Sequence, residues 1–133
     1  MSSIFSQIVK GEIPCHKISE TEKFLAFLDV SPLVHGHILV VPKKETDYIF
    51  DIDDADLAEM IVFAKRVAKA QKAAVACKRI GVAVIGLEVP HAHIHLVPMN
   101  TANDLNFTQP KLKPSTEELS QMAEKIRSEL VIS

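Results

Sequence analysis

Hydrophobic positions recur along the chain with two different periods, and these periods predict its helices and strands. A spacing of three and four residues is typical of a helix, and alternation or a short apolar run is typical of a strand. In chain order the predicted elements are a short helix on Ile4, Phe5, Ile8 and Val9, strands at 16–19, 24–29 and 37–42, a long helix at about 53–77, strands at 80–86 and 91–98, and a C-terminal helix from Ser115. Because short links typically join antiparallel neighbours, this order predicts an α+β fold with a five-stranded, mainly antiparallel sheet.

Local signals mark the ends of the two longer helices. The long helix begins in an acidic cluster at 51–56 and ends near Lys78 and Arg79, which suits the two ends of a helix dipole. Ser115 and Glu118 have the spacing of a capping box. The segment 99–114 is long and irregular for so small a protein, so it is either a functional loop or an arm that covers another part of the molecule.

Length and charge exclude several classes of protein. A chain of 133 residues predicts one domain over 1–133. Its 15 basic and 17 acidic residues leave a net charge of −2, and without a basic stripe we expect no nucleic-acid partner. No apolar run approaches the ~20 residues of a membrane span, so we expect no membrane association. Two cysteines without metal-ligand spacing, and a start without signal-peptide features, predict a cytoplasmic protein with free thiols.

Three of the six histidines alternate with apolar residues in the last predicted strand. Side chains at every second position of a strand share a face, so His91, His93 and His95 are expected to project together. A nucleophile that attacks phosphorus needs a neutral imidazole held in one tautomer, with neighbouring imidazoles that bind phosphate oxygens or relay protons. His93, in the middle of the row, has a neighbouring imidazole on each side and is therefore the expected nucleophile. His37 begins an earlier strand and is expected to take part, whereas His35 is assigned to a loop.

A metal site is the competing interpretation of the same histidines. The first and third positions lie ~13 Å apart along a strand, so all three rings cannot reach ligand distances of about 2.0–2.1 Å to one ion. At most two would serve, with His35 or His37 and a carboxylate completing the shell. The residues alone favour the nucleophile and leave the metal site open.

The run HAHIH, followed by Leu96 and Val97, resembles the His-x-His-x-His-x-x signature of the histidine triad (HIT) proteins, which are nucleotide hydrolases and transferases. Segments 4–14, 24–32 and 36–44 look like other blocks of this family in the same order. The resemblance points to the nucleoside phosphoramidase-like branch. It covers about residues 3–98 and implies the core of a HIT-like domain there, followed by a C-terminal loop and helix at 99–133.

The resemblance implies release of a nucleoside monophosphate, AMP in the first instance, through a covalent nucleotidyl-histidine. The substrate would be a phosphoramidate, a nucleotide ester or a dinucleoside polyphosphate. His93 would be the nucleophile, while His91, His95 and His37 would orient it and hold the α-phosphate. Asp29 would accept the ribose hydroxyls of a purine nucleotide, and the base pocket would be lined by Ile4, Phe5, Ile8, Ile13, Phe27 and Val30. This chemistry requires no metal and no other cofactor.

The resemblance also implies a homodimer in which the sheets of two protomers join and the long helix lies at the two-fold interface. Small and apolar residues alternate over 60–76, a pattern compatible with close helix approach. An ordinary core-facing helix would show a similar pattern.

Two departures from the family pattern alter these expectations. Many bacterial relatives carry Cys-x-x-Cys in the first helix as part of a zinc site, but this chain has Ser3 and Ser6 there, so we expect no structural zinc. The usual Gly-Gln-(Ser/Thr)-Val before the first histidine is replaced by a run containing Leu87 and Glu88, so donors to the leaving group are missing. Glu88 would repel a phosphate when ionised, or protonate a leaving group when neutral. A nucleotide-binding regulator with little turnover therefore stays open as the alternative to an enzyme.

Overall fold

Five antiparallel strands form one sheet, and helices pack on both of its faces. The computed structural model describes residues 2–130. In chain order its elements are α1 (Ile4–Val9), β1 (Lys17–Glu20), β2 (Phe24–Leu28), β3 (Ile38–Pro42), α2 (Asp54–Ala74), β4 (Arg79–Ala83), β5 (Ile94–Met99) and α3 (Thr116–Arg127), with 3-10 turns at Ile49–Asp51 and Ala102–Leu105. The strands lie in the order β1-β2-β3-β5-β4. Every neighbouring pair is antiparallel, so the predicted α+β fold is confirmed.

Alternate residues of the central strands face two separate hydrophobic cores. The larger core lies under α2 and α3, where the sheet contributes Ala26, Leu28, Ile38, Val40, Ile94 and Leu96, and the segment before β5 adds Ala92. The smaller core lies under α1, where Phe5 packs with Leu25, Phe27, Leu39 and Val41. Because α1 has only six residues, it covers only part of this second face, and the predicted histidines lie beside it.

Helix α2 holds two histidine-bearing strands together through one buried side chain. The helix begins after the N-cap Asp53, as predicted. The fully buried Gln71 donates from Nε2 to the carbonyl oxygens of Gly36, at 2.7 Å, and Leu96, at 2.9 Å. These carbonyls belong to the residues next to His37 and His95. One amide therefore fixes the spacing of the backbone segments that carry both histidines.

The last two strands are shorter than the sequence predicts. β5 begins at Ile94 and not at His91, because the preceding backbone forms loop hydrogen bonds in place of the β3 ladder: the Ala92 N–H donates to the Thr46 carbonyl at 2.7 Å. β4 ends at Ala83 and not at residue 86, and Gly86 beyond it adopts a left-handed backbone with φ of 71°.

The C-terminal helix packs on the larger core of the sheet. It begins at the predicted capping box, in which the Ser115 Oγ accepts the Glu118 N–H at 3.0 Å and the Glu118 carboxylate accepts the Ser115 N–H at 2.9 Å. Its buried side chains are Leu119, Ala123 and Ile126. Within residues 2–130, no helix combines the length and apolar character needed to cross a bilayer.

Candidate active site

The pairing of β3 with β5 brings two histidines together on the face that α1 leaves open. Leu39 lies directly opposite His95 in this register. Since every second residue of a strand points to the same face, His37 is the diagonal neighbour of His95. The Nε2 of His37 lies 3.0 Å from the Nδ1 of His95, and both rings are buried.

The hydrogen-bond partners of this pair determine its tautomers. The backbone N–H of Leu33 donates to the Nδ1 of His37 at 3.1 Å, so the proton of the neutral His37 ring is assigned to Nε2. That proton is donated to His95, whose own proton is therefore on Nε2. Burial is the main cause that lowers the pKa of His37 to about 3 and that of His95 to about 4. Both rings are therefore neutral at pH 7.

His93 presents a free lone pair to the cavity. Its Nδ1 lies 2.8 Å from the carbonyl oxygen of His91, which can only accept, so Nδ1 carries the proton and Nε2 keeps the lone pair. The His93 ring is 4.8 Å from the His95 ring, between centroids, and 4.9 Å from the Phe5 ring. A neutral imidazole held in this tautomer is what nucleophilic attack on phosphorus requires.

His91 lies behind His93 and is fully buried. Its Nε2 donates to the Pro42 carbonyl at 2.8 Å, and its Nδ1 accepts the Ser3 hydroxyl at 2.7 Å. All three rings of the predicted row lie on the Phe5 side of the sheet, and Ala92, Ile94 and Leu96 pack in the opposite core as predicted. However, His91 does not line the cavity; its two ring nitrogens bond to Ser3 and Pro42 instead.

A hydrogen-bonded cluster at the start of α1 holds His91 in place. The carboxylate of Glu45 accepts the Ser3 N–H and the Ser6 hydroxyl, both at 2.7 Å. These bonds, the one from the Ser3 N–H most of all, lower the pKa of the Glu45 carboxyl to about 2. Glu45 was missed by the sequence analysis. The two serines at the family's cysteine positions were the only signal for the cluster.

The cavity beside His93 and His95 has a volume of about 370 Å³. Of the predicted site residues, the structure brings Ile4, Phe5, Asp29, Glu88, His93 and His95 to its walls. Ile8 and Phe27 pack in the smaller core behind Phe5. Ile13 is half-buried, and Val30 is 59% exposed. The roles of all these residues in nucleotide binding remain predictions.

Asp29 follows the last residue of β2 and lies within reach of the histidines. Its Oδ1 accepts the Ser31 N–H at 2.9 Å, and its Oδ2 lies 3.8 Å from the Nε2 of His37. Burial raises the pKa of the Asp29 carboxyl, against the opposing effects of the Ser31 N–H and the Lys111 ammonium. One carboxylate oxygen therefore has a fixed partner, and the other is directed toward the site.

The irregular segment 99–114 is an arm that covers the site. The Phe107 ring packs edge-on against His95, with 4.7 Å between centroids, and Lys111 lines the cavity. The arm is anchored by the Leu112 N–H, which donates to the Pro32 carbonyl at 2.9 Å. The length of the segment marks it in the sequence, but neither Phe107 nor Lys111 is predicted as a site residue, because the arm has no periodic pattern.

Among residues 2–130, Asp29, His37 and His95 are close enough to be considered as ligands of one metal ion, since one ligand atom from each lies within 4.8 Å of the others. However, the facing nitrogens of the two rings are joined by a hydrogen bond, and the second nitrogen of His37 accepts a backbone N–H. An ion would have to break the bond between the rings. The geometry therefore favours hydrogen-bonded imidazoles over metal ligands.

The buried neutral histidines predict that acid destabilises the fold. Unfolded histidines titrate near pH 6.5, whereas the pKa values of His37 and His95 are lowered to about 3 and about 4. Below about pH 6.5 the unfolded chain thus binds protons that the folded chain does not. The free energy of unfolding therefore decreases as the pH is lowered, until the pH reaches the lowered pKa values of the folded state. At about 1.4 kcal/mol per proton and pH unit, the two rings together should lower the free energy of urea unfolding by about 2 kcal/mol per pH unit between pH 6 and pH 4. His37→Asn should flatten this slope, and an unchanged slope in that variant would contradict the assignment.

Comparisons with known proteins agree with this geometry. The family model of the HIT domain matches residues 10–102. The adenosine 5'-monophosphoramidase hnt1 of Schizosaccharomyces pombe is 35% identical over 136 residues, which cover 98% of this chain and 99% of the yeast protein. A HIT-like protein involved in cell-cycle regulation from Bartonella henselae superposes with a TM-score of 0.84 at 31% identity, covering 97% of both chains. A zinc-bound histidine triad family protein from Mycobacterium smegmatis gives 0.83 at 29% identity, covering 98% of this chain and 94% of that one.

Proposed function

Because the chain belongs to the histidine triad family, we propose that it is a nucleotidyl hydrolase that releases AMP from an adenosine phosphoramidate, a nucleotide ester or a dinucleoside polyphosphate. The observation that carries this proposal is the free Nε2 lone pair of His93, which faces a cavity beside the Nε2–H of His95. The name of the yeast relative supports a phosphoramidate as the first substrate to test.

The proposed reaction has two steps at phosphorus. In the first, the His93 Nε2 attacks the α-phosphorus, a P–N bond forms, and the leaving group departs with its bonding electrons and takes a proton from water. The carbonyl of His91 stabilises the positive charge that spreads to the Nδ1–H of His93, while the Nε2–H of His95 donates to a phosphoryl oxygen. In the second, water attacks phosphorus, loses a proton to solvent, and returns the electron pair to Nε2.

A single-turnover assay with adenosine 5'-phosphoramidate tests the proposed activity. We expect AMP to be released at a rate that depends on enzyme concentration only up to saturation. Nucleotide binding without release would favour the second candidate, a regulator that binds nucleotide. That candidate is favoured by one observation: the loop before His91 has Leu87, 87% exposed, and Glu88 where the family has side-chain donors.

Asp29 is proposed to accept the ribose hydroxyls through the oxygen that is directed toward the site. Asp29→Asn should weaken ribonucleotide binding by about 1–3 kcal/mol, the scale of a charge-assisted hydrogen bond lost from a buried site. Binding of the matching deoxyribonucleotides should weaken much less. Calorimetric titration with both sugars measures the difference, and equal losses would remove Asp29 from the ribose site.

We further propose that the protein is a homodimer joined along β4 and α2. β4 is an edge strand of the sheet. The surface beside it exposes Tyr48, Phe50, Ile61, Val82, Val84 and Ile85. These side chains surround a groove of about 620 Å³ lined largely by apolar residues. An unpaired edge next to a contiguous apolar patch is typical of a surface that pairs with a second copy.

Sedimentation at micromolar concentration should give twice the chain mass of 14.7 kDa. Val82→Asp, which places a charge on the proposed joining edge, should shift the protein toward the monomer. The matched control Ser19→Asp places the same charge on β1, the opposite edge of the sheet, and should leave the dimer intact. A monomeric wild-type mass would rule out the dimer.

Two further proposals concern the whole chain. A single domain over 1–133 is supported by α3, whose Leu119, Ala123 and Ile126 join the same core as α2 and the sheet. A cytoplasmic location is supported by Cys15 and Cys77, which are both free thiols in the structure.

A further inference from the structure

The arm at 99–114 brings a positive charge to the proposed phosphoryl site. Lys111 lines the cavity that also contains Asp29, His93 and His95. Its Nζ donates to the Phe107 carbonyl at 3.0 Å and lies 5.5 Å from the centre of the Phe107 ring. Because Phe107 in turn packs on His95, the ammonium is held by the arm itself at the edge of the histidine pair.

Within residues 2–130, this ammonium forms no salt bridge with a carboxylate. The Asp29 carboxyl of the same cavity is near enough for the Lys111 charge to oppose the rise in its pKa. Its charge also reaches the histidines, because the Lys111 ammonium adds to burial in lowering the pKa of His95. A cation that lies close to neutral imidazoles and forms no salt bridge with a carboxylate can bind an anionic ligand.

The wall of the cavity that residues 86–89 form supplies no side-chain donor. Gly86, Leu87 and Val89 offer no polar side-chain group, and Glu88 would repel an anion when ionised. A phosphoryl group under attack carries negative charge on its equatorial oxygens, and that charge needs fixed donors. Lys111 has the charge and the position to provide what this wall lacks.

We propose that Lys111 is a catalytic residue that binds the phosphoryl oxygens of the nucleotide, in place of the donors absent from the loop before His91. The inference rests on the proposed function, since it takes the ligand of the cavity to be a nucleotide. Lys111 lies beyond the residues 10–102 that match the HIT domain, so the arm adds this group to the family core.

The test compares AMP with adenosine, which differ only in the phosphate, by calorimetric titration of four proteins: wild type, Lys111→Met, Lys111→Arg and Lys113→Met. Lys113 is the matched control, because it is an exposed lysine of the same arm that does not line the cavity. Lys111→Met should weaken AMP binding about 10- to 100-fold, as expected for the loss of a hydrogen bond to a charged group, and adenosine binding less than about twofold. Lys111→Arg should recover most of the loss, and Lys113→Met should bind both ligands as the wild type does.

Single-turnover rates with adenosine 5'-phosphoramidate provide a second readout, in which Lys111→Met should lower kcat/KM by at least the same factor as AMP affinity. Unchanged AMP affinity in Lys111→Met, or equal losses for AMP and adenosine, would overturn the role of Lys111 while leaving the proposed function standing. A wild-type protein that binds no AMP would overturn both.

Discussion

His93→Ala is expected to abolish AMP release and to leave nucleotide binding largely intact. The variant removes the Nε2 lone pair that attacks phosphorus. His95 and His91 cannot replace it, because the lone pair of His95 is on Nδ1, which accepts from His37, and both nitrogens of His91 are engaged in hydrogen bonds. The contacts to base and ribose come from other residues, including Phe5 and Asp29. The measurement is single-turnover AMP release alongside a binding titration, with His93→Gln as a second variant that preserves more of the side-chain volume.

Trapping the intermediate in the wild-type protein provides the positive control for this variant. A phosphorus–nitrogen bond to imidazole is labile in acid, so the reaction should be stopped by alkaline denaturation and analysed by mass spectrometry. The nucleotide should map to His93. Undiminished turnover in His93→Ala, or an adduct on a different residue, would overturn the proposed mechanism.

His95→Ala is expected to slow AMP release by about 10²–10⁴-fold without eliminating it, the range for loss of one proton-transfer group or fixed donor. His95 offers its Nε2–H to the reacting group because the chain of hydrogen bonds from the Leu33 N–H through His37 fixes its tautomer. The attacking atom belongs to His93, so a residual rate should remain.

The control for His95→Ala is His35→Ala, which removes an exposed imidazole near His37 whose ring forms no hydrogen bond with residues 2–130. Its rate should match the wild type. Complete loss of activity in a folded His95→Ala protein would assign His95 the role given to His93, and an unchanged rate would exclude His95 from the reaction.

The helix starts could be predicted from sequence because their signals are local. The caps at Asp53 and Ser115 each depend on a side chain and a backbone N–H three residues apart. The start of β5 could not be predicted in this way, because it depends on whether the Ala92 N–H bonds to β3 or to the distant Thr46 carbonyl. Apolar residues alternate through residues 91–98 whether or not the backbone pairs with β3, so the pattern alone predicted a strand that begins too early.

The histidine row was identified by its spacing, but the unequal surroundings of its members depend on the rest of the fold. The sequence favours His93 because it lies between two other histidines. In the structure the support comes instead from the His91 carbonyl, and His91 is in turn held by Ser3 and Glu45. The contribution of Lys111 has no counterpart in any sequence pattern, since only the path of the arm brings it to the cavity.

The fixed tautomers described above have a spectroscopic consequence. The protons on Nε2 of His37, Nε2 of His91 and Nδ1 of His93 lie in hydrogen bonds between buried groups, so they exchange slowly with solvent. Such imidazole protons give separate downfield lines in a one-dimensional proton NMR spectrum of unlabelled protein. The line of His93 would then report the occupancy of the neighbouring cavity directly, without isotopes, a chromophore or turnover.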